Sequence, residues 1–289
     1  MAEDRRAVPP PLPEPLDGEV FDAHCHLDAM AQRAGVVASG RPAPADYVAE
    51  VVEQARSVGV TRIVNVGCAV EEWYSALEST RHPNVYAAIA VHPNEVGGLT
   101  EADYEELERL LRNPKIVAVG ETGLDYYWDR TSPAEQQRHF RRHIELAKRV
   151  AKPLMIHDRD AHSDVLRILR EEGAPSAGVI FHAFSGGAAM ATECAEAGYL
   201  LSFPGVLTFT NAPGLREAAK AVPLEQILVE TDAPFLTAHP YRGRPNAPYL
   251  IPHVVRLISE LKHEPEYVVC ATISGTGGRT LGLNLASCP

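Results

Sequence analysis

The chain has 289 residues, and its 27 lysines and arginines stand against 38 aspartates and glutamates, a formal net charge of −11. That acid excess excludes a broadly basic surface of the kind that coats a phosphate backbone. Hydrophobic residues at 45% and charged residues at 22% are ordinary globular usage, and no apolar run approaches the roughly 18 residues needed to cross a bilayer.

The first 18 residues are proline-rich, with acids and arginines but no apolar stretch; they predict a disordered or extended tail rather than a secretory signal. From Glu19 onward, short β-branched runs alternate with longer stretches of helical periodicity, the pattern of repeated βα units around a parallel sheet. The strand Val20–Ala23 leads into a long connection over 29–45, containing Gly, Pro and Ala. Most βα loops take about 2 to 6 residues, so this one is an insertion or a functional loop, and its place after His26 and Asp28 predicts a partial lid. The helix Asp46–Ser57 follows, with Val48, Val51, Val52 and Ala55 on one stripe and Asp46 as its expected N-cap. Then come strand Arg62–Val66, helix Val70–Thr80, strand Tyr86–Val91, helix Glu101–Leu111, strand Ile116–Gly120 and helix Pro133–Val150. Strand Leu154–Ile156, helix Ala161–Glu171, strand Val179–Phe181, helix Ala188–Ala197, strand Tyr199–Phe203, helix Gly214–Ala221, strand Ile227–Glu230 and helix Pro248–Leu261 complete the series. No internal linker splits them. The pattern predicts an α/β fold, a (β/α)8 TIM barrel forming a single domain over 19–289, with an open doubly wound sheet as the alternative. The five cysteines, Cys25, Cys68, Cys194, Cys270 and Cys288, are scattered and never form C-x-x-C, which predicts a reducing, cytoplasmic setting without disulfides.

Residues able to bind metal fall at the carboxyl end of one strand after another. His24 and His26 follow the first strand, His92 the third, Glu121 the fourth, His157 the fifth, His182 the sixth and Asp232 the eighth. In a parallel barrel these ends open on one face, so residues distant in sequence converge. His24 and His26, two apart on an extended segment, point to the same side. The mixed nitrogen and oxygen set suits zinc, manganese or iron better than calcium and lacks the thiolates of a structural zinc site. Six candidate ligands, His24, His26, Glu121, His157, His182 and Asp232, exceed the needs of one tetrahedral ion with an open position, which points to two divalent ions. Glu121 is then the natural bridge, with His24, His26 and Asp232 holding one ion and His157 and His182 the other. Glu121 and Asp232 are the expected catalytic residues, Asp232 as general base toward a shared water. The other histidines fall on helices or connections and receive no role.

Further positions carry paired readings. Ser185-Gly186-Gly187 opens a helix and is either a phosphate cradle of backbone N–H groups or a plain tight turn. Arg159 is a phosphate clamp or a partner in a surface ion pair. His92 binds substrate, orients a ligand, or stabilises its own loop with Pro93. The basic run Arg138, Arg141, Arg142, Lys148, Arg149 and Lys152 reads as a solvated, salt-bridged helix face. Trp128 and Phe203 are expected in the core, with base stacking the alternative, and Cys25 is expected packed and unreactive.

The candidate ligands lie in motifs that together resemble the TatD family of metal-dependent deoxyribonucleases, within the wider metallo-dependent hydrolases. These are FDAHCHLD at 21–28, VHP at 91–93, VGETGLDYYW at 119–128, IHDRDA at 156–161, HAFSGG at 182–187, ETDAPFL at 230–236 and RGRPNAP at 242–248. The resemblance runs from about Val20 to Leu283. It implies a (β/α)8 barrel with two divalent ions, zinc, manganese or magnesium, and hydrolysis of DNA phosphodiester bonds, often as a 3′-to-5′ exonuclease. The family's metal positions fall on the same six residues. This chain departs from the pattern at Ala247, where the family usually has Glu, and at Thr276, where it usually has Asn. Gly275, Gly277 and Gly278 replace helix formers at about 1 kcal/mol each, which predicts a frayed or shortened last helix.

The expectation is a monomeric hydrolase acting on DNA ends or another phosphodiester, with no membrane partner. The alternatives are a metal-dependent amidohydrolase or lactonase acting on a carbonyl substrate, since fold does not fix substrate, and a non-catalytic scaffold with a vestigial site.

Overall fold

A computed structural model describes residues 8–283 of the chain. Each expected β-branched run forms a strand: β1 Val20–Cys25, β2 Val60–Gly67, β3 Val85–Ile89, β4 Ile116–Asp125, β5 Leu154–Arg159, β6 Val179–Phe181, β7 Leu200–Phe203 and β8 Ile227–Val229. All neighbours pair in parallel and in sequential order. That is the order of a barrel and not of a doubly wound sheet. The barrel closes at its C-terminal rim, where the Asp232 N–H donates to the His24 carbonyl at 2.9 Å and the His26 N–H to the Ala233 carbonyl at 2.8 Å. Beneath these bonds the buried carboxylate of Asp22 accepts from the N–H groups of His24 at 3.1 Å and Thr231 at 2.9 Å, and from the Thr231 hydroxyl. One acid on β1 thus holds both edges of the seam together.

Ten α-helices surround the strands among the described residues: α1 Leu27–Arg33, α2 Ala45–Arg56, α3 Trp73–Ser79, α4 Glu101–Leu111, α5 Pro133–Val150, α6 His162–Glu172, α7 Ala188–Glu196, α8 Pro213–Ala221, α9 Ile251–Lys262 and α10 Glu266–Leu281. The apolar stripe of α2 is buried as expected, and burying each such valine stabilises by about 1.5–3 kcal/mol. Asp46 is not its N-cap. The helix begins one residue earlier, after Pro44, and Asp46 sits in the first turn, accepting from the Tyr47 N–H. At α4 a reciprocal Thr100–Asp103 capping box satisfies two otherwise unpaired N–H groups.

Three further expectations are corrected. The long connection after β1 is partly helical, because α1 occupies its start and buries Leu27, Met30 and Ala31. The last helix is neither frayed nor short: α10 runs for 16 residues, and one of its glycines serves packing. A Cβ on Gly277 would lie 2.1 Å from the Phe21 ring, so only glycine lets α10 seat this closely on β1. Within the N-terminal segment, residues 8–18 are held against the barrel rather than disordered. Arg244 donates to the carbonyls of Val8 and Pro9, Tyr249 to that of Pro10, and Arg256 to those of Glu14 and Pro15. Residues 1–7 and 284–289, with Cys288, lie outside the described part. The four described cysteines are free, and no described helix is long and apolar enough to cross a membrane.

Candidate metal centre

The strand ends bring the six expected ligands to one point on the rim. Glu121, near the end of β4, lies between two groups. Its Oε1 is 3.9 Å from His26 Nε2, while its Oε2 is 2.9 Å from His182 Nε2 and 3.4 Å from His157 Nδ1. Asp232 Oδ1 lies 3.4 Å from His26 Nε2 and 3.8 Å from His24 Nε2. A glycine two residues beyond Glu121 makes this arrangement possible. β4 continues past the expected end at Gly120, and at Gly123 it passes so close to β5 that a Cβ would meet the His157 carbonyl oxygen at 2.0 Å.

Each of the four histidines has its second ring nitrogen engaged, which aims the first at the centre. Asp125 Oδ2 holds His157 Nε2 at 3.0 Å, Glu230 Oε1 holds His182 Nδ1 at 3.0 Å, and the Val66 carbonyl holds His26 Nδ1 at 3.2 Å. His24 Nδ1 rests 3.2 Å from Met155 Sδ. The inward nitrogens of His24 and His26 face each other at 3.2 Å. If Nδ1 of His26 donates to the carbonyl, its Nε2 offers a lone pair, and such a convergence of acceptors is what a divalent cation satisfies. The donor set fits a metal: His24, His26 and Asp232 have ligand atoms within 4.8 Å of one another, as do His24, His182 and Glu230, and Glu121 lies 3.4 Å from His157 and 2.9 Å from His182.

The electrostatics agree with this fit. Burial opposes charge throughout the cluster, yet His182 and His157 overcome it at Glu121 and hold its carboxyl well below the usual range. Burial likewise opposes the charge of His182, but Glu230 and Glu121 hold its imidazolium well above the ordinary value. At His24 burial wins, reinforced by the neighbouring His182, and the ring is pushed well down. The centre therefore stabilises positive charge that protons or metal ions can supply, in competition.

The other expected residues divide. The ring of His92 stands 4.3 Å from that of His157, and burial, with His157 beside it, pushes its pKa down to about 3. Its Nδ1 accepts from the Asn94 N–H at 3.1 Å, so the neutral ring carries its proton on Nε2 and presents a donor rather than a lone pair. Arg159 makes no ion pair with a described carboxylate; its guanidinium carbon lies 3.7 Å from the centroid of the Tyr127 ring. Ser185 donates to the Asp158 carbonyl at 3.2 Å. At Gly186 a Cβ would lie 2.5 Å from Met190 Sδ and 2.7 Å from Phe184, so the glycine lets these side chains pack close to the turn. The basic run on α5 is the salt-bridged face expected, with Arg142 bound to Glu101 and Arg149 to Glu108. Phe203 is core, but Trp128, expected there too, is 48% exposed on the rim. Cys25 is buried, and burial pushes its thiol well up.

Asp125, Glu230 and Asp22 escaped the sequence reading. A signal for two of them was present: Asp125 is four residues after Glu121 and Asp22 two before His24, the spacing of residues on one side of a strand.

Comparison with known proteins extends the picture over the whole barrel. A family described as TatD related DNase matches residues 21–276. TatD of Mycobacterium tuberculosis, described as an uncharacterized metal-dependent hydrolase, is 48% identical over 264 residues, covering 88% of this chain and 95% of that protein. YabD of Bacillus subtilis, with the same description, is 41% identical over 244 residues, 84% and 91% of the two chains. Among solved structures, the TatD homologue YjjV of Escherichia coli superposes with a TM-score of 0.81 at 27% identity, covering 91% of this chain and 98% of that one. A TatD-family hydrolase from Entamoeba histolytica, at 19% identity and a TM-score of 0.78, shows the same fold. Because the matched span runs from β1 into α10 and contains all six residues that meet at the rim, the chain belongs to the TatD family of metal-dependent hydrolases.

Proposed function

We propose that the centre holds two divalent cations, zinc, manganese or magnesium, and that the protein is a deoxyribonuclease removing nucleotides from DNA ends in the 3′-to-5′ direction. The observation that carries this reading is the shared carboxylate, Glu121, with one oxygen toward His26 and the other toward His157 and His182. His24, His26 and Asp232 would hold one ion and His157 and His182 the other. Bound divalent cations supply Lewis acidity, which makes water a nucleophile at neutral pH and offsets charge on a phosphoryl oxygen.

The chain's own groups do the rest. Asp232 accepts the proton of the attacking water. Asp125 and Glu230 fix the tautomers of His157 and His182, so their inward nitrogens stay deprotonated when metal is bound. His92 donates from Nε2 to a substrate oxygen. Arg159, which pairs with no described carboxylate, faces a phosphate, and the N–H groups around Ser185 and Gly186 add weaker support. Preference for DNA rests on the description of the matching family as a DNase. The test is a nuclease assay with single-stranded and 3′-recessed DNA alongside a panel of amides and lactones. Glu121→Gln and His157→Ala should each lower DNA hydrolysis by more than about 100-fold, beyond the range typical for groups outside the ligand set. Unchanged DNA hydrolysis in either variant, or turnover confined to carbonyl compounds, overturns the reading.

A further inference from the structure

Five of the six candidate ligands, His24, His26, Glu121, His157 and His182, lie on a strand or one residue past its end, where the sheet ladder places them. Asp232 does not. It stands beyond the end of β8 at Val229, off the ladder. Its φ of 52° lies in the left-handed region, where the Cβ of an L-residue crowds the following carbonyl. Such a conformation persists only where the surroundings over-determine the backbone. Something other than the sheet must therefore aim this carboxylate.

Peptide units are planar, so the direction of the Asp232 side chain is set by the two units that meet at its Cα. Each is held at both ends. In the unit before Asp232, the Thr231 carbonyl accepts from Asn246 Nδ2 at 2.8 Å, and the Asp232 N–H donates to the His24 carbonyl at 2.9 Å. In the unit after it, the Asp232 carbonyl accepts from the Phe235 N–H at 2.8 Å, and the Ala233 N–H donates to Thr231 Oγ1 at 3.2 Å. The Thr231 hydroxyl donates in turn to Asp22, and Asn246 Nδ2 also donates to the Phe235 carbonyl. Thr237 donates to the Arg244 carbonyl at 2.7 Å, closing the loop that returns Asn246 to this place. Asp22, Thr231 and Asn246 are all buried, so solvent does not compete for these bonds.

We infer that Thr231 and Asn246 are positioning residues for one ion only: through the backbone they aim Asp232 at the cation it shares with His24 and His26, and they leave the other cation alone. The inference rests on the two-cation reading. The ligands of the second position have a different support, because Asp125 and Glu230 hold His157 and His182 through imidazole nitrogens. The two positions are therefore separable by substitution. Thr231→Val keeps the shape of the side chain but leaves the Ala233 N–H without its acceptor and Asp22 without one donor, a buried loss that burial makes costly. Asn246→Asp sets a carboxylate oxygen against two carbonyls in place of the donating amide. Thr231→Ser keeps the hydroxyl and should keep the function.

The test is calorimetric titration of Mn²⁺ into the metal-free full chain, with paramagnetic resonance of the loaded protein to tell a coupled pair of ions from an isolated one. Neither readout depends on activity. The wild type should take up two ions and give the coupled spectrum. Thr231→Val and Asn246→Asp should each raise Kd at one position by about 10- to 100-fold, leave the other at its wild-type affinity, and give the isolated-ion spectrum at a Mn²⁺ concentration that fills both positions of the wild type. Asp232→Asn should lose the same ion, and Thr231→Ser should match the wild type. The inference is overturned if both substitutions leave both affinities unchanged, if the two ions weaken together, if both variants fail to fold, or if Thr231→Ser is as impaired as Thr231→Val. A wild type that takes up a single ion sinks the two-cation reading instead, and the positioning role then stands or falls on whether Thr231→Val and Asn246→Asp weaken that ion while Thr231→Ser does not.

Discussion

Ionisable side chains crowd two regions of this molecule, the outer face of α5 and the C-terminal rim, and they obey different rules. On α5 the charges are exposed, opposite in sign and satisfied pairwise, as with Arg142 and Glu101 or Lys148 and Glu145. Each such pair is worth about 0–1 kcal/mol and is screened by salt. At the rim, groups that would repel or compete are pressed together, the inward nitrogens of His24 and His26 at 3.2 Å and the rings of His24 and His182 stacked at 3.8 Å. No folding economy explains that arrangement, and its members come from five strands or strand ends. Density of charge alone therefore says little about function. Burial together with a convergence of like groups from separate strands marks the candidate site.

The contrast can be broken most forcefully at the outer carboxylates. Asp125→Asn and Glu230→Gln preserve shape but remove the charge that fixes His157 and His182, and each should weaken metal binding by about 10- to 100-fold. Titration of the apoprotein with metal checks this, and an affinity equal to wild type would place both carboxylates among ordinary structural acids.

A second expectation separates buried titration from surface titration. His143 sits on the buried face of α5 with Nδ1 3.0 Å from Thr122 Oγ1, and burial pushes its pKa down to about 3 from 6.5. Between those values the unfolded chain binds the proton and the folded chain does not. Stability attributable to this group is therefore complete above pH 6.5 and lost as pH falls toward 3. The loss is about 2 kcal/mol by pH 5, read from urea unfolding at pH 7 and pH 5, and His143→Asn should flatten that dependence. An unchanged slope would show that His143 is not the titrating group.

The connection over 34–44 sharpens the comparison at the edge of the rim. It folds back on α1, with the Ala43 N–H donating to Asp28 Oδ1 at 2.7 Å, and we expect it to act as a partial lid. Deleting Gly35–Arg41 should change KM for substrate several-fold and leave metal content as it was; equal kinetics would remove the lid. The smallest effect is expected on α5, where Arg142→Ala should change unfolding free energy by no more than about 1 kcal/mol and leave metal content intact.

Most of this architecture is legible in the sequence because β-branched runs and helical stripes are local signals, and the strand ends carry the candidate metal ligands with them. What escaped depends on contacts between distant segments. α1 is short and lacks a side-chain cap, so LDAMAQR merges with the glycine and proline that follow. Gly277 of α10 looks like a helix breaker until Phe21 is seen beneath it. β4 seems to stop at Gly120 because GETG resembles a loop, although Gly123 is the residue that permits its close passage by β5. The six candidate ligands are readable from position, whereas the contacts of Asp125 and Glu230 follow only from where His157 and His182 turn their second nitrogens.

The central claim is that one carboxylate, Glu121, joins two metal positions. Elemental analysis of protein purified without added metal, set beside the Glu121→Gln variant, tests it most directly. The expected result is about two divalent ions per wild-type chain and a clear loss of metal from the variant. A wild-type protein without divalent metal, or a variant holding the same complement, would contradict it.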